Sequence, residues 1–253
     1  MKPLYLMALL LTLTRAQTSL AQERKKITNY PGQRFLQMKE TFYVRKDDHT
    51  KKDGPYQLLH DGKIIISGYY NNDQKDSAWE NYTSNSVLVS RKWYHQGEKT
   101  GKWEFFTHKG EPDWTYDFNT QTLTHLHSPL VDTATFYYLT DTGDWIRDRL
   151  DRGPTGLFSQ QEYAGYMNRN FRYPVEAFRA NQQGKVIISI TVDEQGNVAG
   201  YTVFQRASPA LDEEALQVVK GFGHEFLPAE KNGKKVKAQY LAPVVFKLQA
   251  PGF

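Results

Sequence analysis

At 253 residues the chain has room for one or two domains, and 39% hydrophobic with 24% charged residues excludes disorder throughout. The formal charge of +4 arises from 32 basic and 28 acidic residues with no basic stripe, which argues against nucleic acid as a partner. Cysteine is absent, which excludes disulfides, thiol chemistry and a lipid anchor on an N-terminal cysteine.

The chain opens with Lys2 and a nearly unbroken apolar run over residues 4–13, followed by Ser19-Leu20-Ala21. A basic start, a short apolar stretch and small residues at the cleavage positions read as a secretory signal over 1–21, cut after Ala21. The run is shorter than the roughly 20 residues a spanning helix needs, so export to the periplasm is the simpler expectation. An uncleaved inner-membrane anchor is the alternative. No later stretch is apolar enough to cross a bilayer.

The rich aromatic content, 16 Tyr, 14 Phe and 5 Trp, favours strands. After a lead-in over 22–41, a pattern recurs. Tyr56, Trp79 and Trp103 stand 23 and 24 residues apart, each preceded by turn residues: Asp53-Gly54-Pro55, Lys75-Asp76-Ser77, Thr100-Gly101-Lys102. A second turn follows each aromatic strand, at Asp61-Gly62, Asn85-Ser86 and Lys109-Gly110, and then another strand-like run. Each unit is a hairpin, and only stacking in line buries its apolar face. These units, over about 42–118, resemble divergent MORN repeats on the strength of Tyr56, Gly62, Gly68, Tyr69, Trp79, Trp93, Tyr94, Gly97, Gly101, Trp103 and Gly110, with Ser86 where Gly is usual. The resemblance implies a scaffold or interaction surface.

Residues 133–140, TATFYYLT, read as one more strand, closing a repeat sheet that extends over 42–140. Residues 141–171 read as a linker whose end forms a short helix, capped by Ser159 and apolar at Tyr163, Tyr166 and Met167.

From Tyr173 the pattern changes. Val186, Ile188, Ile190 and Val192 alternate as a strand, 194–197 turn, and 198–204 return. Ser208-Pro209 opens a helix with Asp212, Glu213 and Glu214 at its positive end and Leu211, Ala215, Val218 and Val219 on one face. Tyr240, Ala242, Val244, Phe246 and Leu248 alternate as a last strand, where Pro243 marks an edge or a bulge. The motifs Tyr173-Pro174, GKVIISITVDEQGNV, ALDEEAL, FLPAEKNGKKV and APVVFKL together resemble the C-terminal domain of the TonB family. That resemblance implies a periplasmic module that grips a short segment of an outer-membrane transporter, the TonB box, by strand addition. Tyr240, Ala242, Val244 and Phe246 would then mark the partner-binding edge. Energy-transducing members carry a membrane helix and a long Pro-rich spacer; here a signal-like segment and only 11 Pro stand instead.

Other site signals are weaker. His125 and His127 share a strand face, but no third ligand lies at a telling spacing. GEKTGKW, at 97–103, lacks the spacing of a phosphate loop. Lys231, Lys234, Lys235 and Lys237 cluster at a turn, either as a solvated hairpin or as a contact for anionic cell-wall polymer or lipid headgroups. No catalytic constellation appears, so the expectation is a binding protein without cofactor or metal, not an enzyme. The predicted fold class is α+β: an antiparallel hairpin-repeat sheet followed, over 172–253, by a ββαβ domain. The predicted function is protein binding linked to TonB-dependent transport. The alternative is a structural or peptidoglycan-associated envelope protein without energy transduction.

Overall fold

The computed structural model describes residues 24–31, 37–125 and 135–248. The signal read at 1–21 lies outside them, as does His127 of the histidine pair. Among the described residues no helix is long and apolar enough to cross a membrane.

The first sheet is a meander of nine strands, each paired with its sequence neighbours. Strand β1 (Arg24–Asn29) lies before the recognised repeats and β2 (Met38–Arg45) straddles their start. The repeats supply β3 (Lys52–His60), β4 (Lys63–Asn71), β5 (Gln74–Tyr82), β6 (Leu88–His95), β7 (Glu98–Phe106) and β8 (Pro112–Asp117). Strand β9 (Thr122–His125) ends the sheet. The sheet therefore begins earlier than the lead-in boundary at 41 suggested, because β1 pairs along its whole length with β2.

Local chemistry explains the regularity. The two-residue turns Asp61-Gly62, Asn72-Asp73 and Gln96-Gly97 hold both residues at positive φ, the geometry that matches strand twist. Longer turns use a threonine: Thr83 Oγ1 accepts from the N–H groups of Asn85 and Val87, and Thr107 Oγ1 from those of Lys109 and Glu111. Ser86 takes φ +62°, the place that Gly110 fills at +82° in the next unit. One face of the sheet carries the aromatic ladder. Tyr56 and Trp79 stack at 5.2 Å, Tyr94 and Trp103 meet at 5.1 Å, and Trp103 meets Phe118 at 5.0 Å. Each Trp donates its indole N–H ten residues back, Trp79 to the Tyr69 carbonyl (3.1 Å) and Trp103 to the Trp93 carbonyl (2.9 Å). Gly68 is obligatory beneath Trp79, since a Cβ there would lie 2.4 Å from the indole.

The second sheet has five strands. After β10 (Thr135–Leu139), β11 (Trp145–Arg149) and the short β12 (Thr155–Gly156) come helices α1 (Gln160–Asn170) and α2 (Val175–Arg179). Then follow β13 (Gly184–Val192), β14 (Val198–Gln205), α3 (Pro209–Gly221) and β15 (Phe226–Leu227). The hairpin β16 (Ala229–Lys231) and β17 (Lys234–Val236) leads into β18 (Ala238–Phe246). The sheet order is β11-β10-β18-β13-β14. The ββαβ core is present as β13-β14-α3-β18, and α3 seals its inner face with Leu211, Ala215, Val218 and Val219 over Val186, Ile188, Ile190, Ala242 and Val244.

Two expectations change. Residues 135–139 do form a strand, but it joins the second sheet, not the first: Tyr138 pairs with Ala238 and packs with Leu150 and Ala229 in a small core of its own. The segment read as a linker is built in as β11, β12 and α1, with β12 paired to β15. Ser159 caps α1 as expected, accepting the Glu162 N–H at 3.0 Å. Ser208 sits at the start of α3, yet its hydroxyl bonds Gln182; buried Asp212 instead accepts the Ala207 N–H at 2.9 Å.

Candidate functional site

Strand β18 is bonded unequally on its two sides. Toward β13 it is paired from Ala238 to Phe246 without interruption. Toward β10 it is paired only at Ala238, with the Leu139 N–H donating to the Lys237 carbonyl at 2.8 Å. In an antiparallel ladder, successive residues turn their polar backbone groups to opposite neighbours. Pro243 has no N–H and Lys237 faces β10, so the odd-numbered positions 239–245 point away from β13. From Leu241 onward that edge has no strand partner among the described residues.

This parity corrects the residue assignment. Ala242, Val244 and Phe246 are buried with their side chains in the α3 core, and Tyr240 packs against it. Their backbone groups are spent on β13. The accessible residues of the strand are Leu241, 36% exposed, and Val245, 61% exposed, flanking Pro243. The edge therefore offers carbonyl acceptors at 241, 243 and 245 but N–H donors only at 241 and 245. Pro243 places the open edge where the sequence pointed, and removes one donor from it.

Tyr173 and Pro174 shape this end of the module rather than lining the edge. Tyr173 donates its hydroxyl to the Gln182 carbonyl and sets its ring 5.6 Å from Phe246; Pro174 stands at the N-cap of α2. Of the lysine cluster, Lys231 is committed to Asp148 (2.8 Å) and the Arg149 carbonyl. Lys234 and Lys235 are exposed on β17, and half-buried Lys237 bridges to β18. Asp212 and Glu214 serve structure, Glu214 accepting the Arg172 N–H at 2.7 Å. Among the described residues no group of three or more metal-ligating side chains gathers.

The second feature is the seam between the sheets. Lys92, buried on the aromatic face of β6, pairs with Glu162 of α1 at 3.1 Å and with Glu225 before β15 at 3.5 Å. Ser90 donates to Glu162 and Tyr94 to Glu225, both at 2.9 Å. Burial alone would lower the Lys92 pKa, but the two carboxylates outweigh it and hold it above the ordinary lysine value. Burial likewise pushes Glu225 up, but Lys92, Lys75 and Lys99 draw it below the usual carboxylate range. Leu157 and Leu227 insert into the same aromatic cluster as Trp79 and Trp103. The two sheets are thus joined by a largely buried, ion-paired seam that single-residue motifs did not reveal. One trace existed in the sequence: Lys52, Lys75 and Lys99 each precede a ladder aromatic by four residues, and Lys52 and Lys75 lie over those rings at 5.2 and 5.0 Å.

Residues 169–248, which contain the β18 edge, match the family model described as Gram-negative bacterial TonB protein C-terminal. The C-terminal module is similar to the TonB C-terminal domain. Over 78 residues the chain is 35% identical to Protein TonB of two Xanthomonas campestris pv. campestris strains, a stretch that is 30% of this chain and 34% of each relative. The chain thus spans about a third of the length of the curated relatives it matches. Among solved structures, the solution structure of Helicobacter pylori TonB-CTD is 22% identical, covering 35% of this chain and 79% of that one at a TM-score of 0.28. The crystal structure of TarM is 13% identical, covering 40% and 21% at a TM-score of 0.25. The TonB-type match begins inside α1 and ends just beyond β18, so it takes in the YP pair and the strand edge but leaves out the whole meander.

Proposed function

We propose that this is an exported envelope protein whose TonB-type module captures an extended segment of an outer-membrane transporter by strand addition along residues 241–246. The observation that carries the reading is the half-open β18: on the side away from β13 its first residues are closed by β10, its remainder has no strand partner among the described residues, and the side chains exposed there are apolar. Main-chain bonds to the edge would supply affinity, and contact with the exposed Leu241 and Val245 side chains the selectivity. The other edge of the sheet, β14, suits this role less. Its ladder to β13 is irregular at both ends, the kind of distortion that turns an edge away from new partners.

In this reading the leader directs the chain to the periplasm, and the meander is a MORN-type scaffold that holds the module at a fixed angle through the Lys92 seam. Capture of a transporter does not require this chain to transmit energy. The test is an NMR titration of the mature chain with TonB-box peptides from transporters of the same organism. Amide shifts concentrated on 239–246 support the reading. Shifts confined to β14, or none at millimolar peptide, sink it.

A further inference from the structure

Beyond the strand edge, a cleft of about 300 Å³ lies where α1 crosses the meander, walled by His60 and Asn81 on one side and Gln161, Gly165, Asn168 and Arg169 on the other. That volume is at the small end of ligand sites. Its one unneutralised charge is Arg169. Among the described residues the Arg169 guanidinium has no carboxylate within ion-pair distance and no hydrogen bond of its own; only its backbone carbonyl is used, by Arg172. The group is half-buried, and burial holds its pKa below the ordinary arginine value. An arginine removed from water without an anion is an uncompensated cost.

The seat of this side chain is shaped for it. Gly165 stands in the middle of α1, where glycine weakens a helix relative to alanine. A Cβ on Gly165 would lie 3.1 Å from Arg169 Nη1, so the glycine leaves room for the guanidinium to lie close against the helix where it lines the cleft. Glu162, the one carboxylate on the wall, is already occupied by Lys92 at 3.1 Å and Ser90 at 2.9 Å and does not compete for Arg169. Of the other polar groups on the wall, the Asn81 amide donates to Ser90 at 3.0 Å, whereas the neutral amides of Gln161 and Asn168, on the α1 side, make no side-chain hydrogen bond among the described residues.

We propose that this cleft binds a small carboxylate-bearing molecule, held by a forked contact from Arg169 with the Gln161 and Asn168 amides ordering the remainder. A single planar cation among neutral amides suits a monoanionic carboxylate; a dianionic phosphate calls for more positive charge. The proposal is independent of strand addition at β18, which lies on a different sheet edge.

The experiment follows the Arg169 Nε–Hε signal of the full mature chain, assigned by its loss in Arg169→Gln. The probes are acetate, D-glucuronate, N-acetyl-alanyl-alanine, inorganic phosphate and chloride at constant ionic strength. A saturable shift with at least one carboxylate, and none with chloride, is expected. Gly165→Ala should weaken that binding roughly tenfold by displacing the fork, while leaving the melting temperature equal or higher because alanine favours the helix. That combination separates a built seat from a damaged fold. The proposal is overturned by linear, unsaturable shifts common to all anions, by saturation with phosphate alone, or by carboxylate binding that survives both substitutions unchanged.

Discussion

The meander and the C-terminal sheet differ in what they leave open. The meander joins every strand to its sequence neighbour and closes its aromatic face with its own lysines and with α1, Leu157 and Leu227. The C-terminal sheet closes its inner face with α3, but most of one side of β18 has no strand partner among the described residues. A covered face fixes geometry, whereas an open strand edge carries directional hydrogen-bonding capacity that an added strand can use. In the proposed function the meander positions and the C-terminal sheet captures, and that division can be broken at specific residues.

The largest effect should come from the seam. Lys92→Met removes the buried cation from half-buried Glu162 and Glu225, and although Lys75 and Lys99 stay near Glu225, the loss should approach the low end of the roughly 3–5 kcal/mol that breaking a buried ion pair costs. Urea unfolding should show that loss, and limited proteolysis should cut between the modules. The double variant Lys92→Met, Glu162→Gln should recover part of the stability, because Glu162 no longer carries an uncompensated charge and Glu225 keeps Lys75 and Lys99 nearby. If Lys92→Met proves neutral, the seam does not hold the sheets together and the positioning role fails with it.

A pH measurement sharpens the same contrast from the other side of the seam. His224, 8% exposed among Phe158, Phe222 and Phe226, has neither ring nitrogen hydrogen-bonded in the structure, and burial lowers its pKa to about 4. A histidine depressed in the folded state is held neutral, so the unfolded chain binds the proton first. Stability is then full above the ordinary value near 6.5 and falls as pH drops toward 4, by an amount on the order of 3 kcal/mol. His224→Phe should flatten the stability profile between pH 6.5 and 5. Glu225, with its pKa depressed, adds its own loss only as pH falls below the ordinary carboxylate value. An unchanged slope in His224→Phe would show that the ring is hydrated in solution.

Much of the local architecture was legible in the sequence, and the reason is that it is made of local interactions. The turn residues at Asp61-Gly62 and Lys109-Gly110 announce hairpins, the 23- and 24-residue spacing of Tyr56, Trp79 and Trp103 announces their stacking, and Ser159 announces α1, whereas the turns read at Asp53-Gly54-Pro55, Lys75-Asp76-Ser77 and Thr100-Gly101-Lys102 lie inside β3, β5 and β7. What failed to show was long-range. Nothing within residues 135–139 says that the strand pairs with Ala238 and not with its predecessor in the chain. Lys92 finds Glu162 70 residues away, and Tyr94 finds Glu225 131 residues away. At the β18 edge the alternation correctly identified Ala242, Val244 and Phe246 as one face, but that face is the core. Pro243 held the clue to parity, since its missing N–H had to fall on the unpaired side.

That parity gives the next prediction. Leu241→Pro removes one of the two N–H donors left on the open edge while keeping the core residues untouched. Peptide affinity should fall by about 1–1.5 kcal/mol, roughly fivefold to tenfold, with little change in melting temperature. The matched control, Leu241→Val, should bind nearly as well as the parent chain, because the backbone donor is kept. Equal loss in both variants would mean that the side chain, not the edge, is recognised.

The smallest expected effect tests whether the meander is as regular in energy as in geometry. Ser86 holds φ +62° in a turn where the next repeat uses Gly110 at +82°. A left-handed backbone costs a non-glycine residue about 1 kcal/mol, set against the greater chain entropy glycine loses on folding. The Ser86 N–H donates to the Thr83 carbonyl and Thr83 Oγ1 bonds the flanking N–H groups, so the turn's hydrogen bonds do not need the serine side chain. Ser86→Gly should therefore stabilise the protein by about 0.5 kcal/mol in urea unfolding, the strain relieved slightly exceeding the entropy lost. Gly110→Ser should destabilise by a similar amount. If the two substitutions do not mirror each other, the repeats share a backbone path but not its energetics, and the Val87 side chain, 3.2 Å from where a Cβ on Gly110 would sit, is the local difference that would account for it.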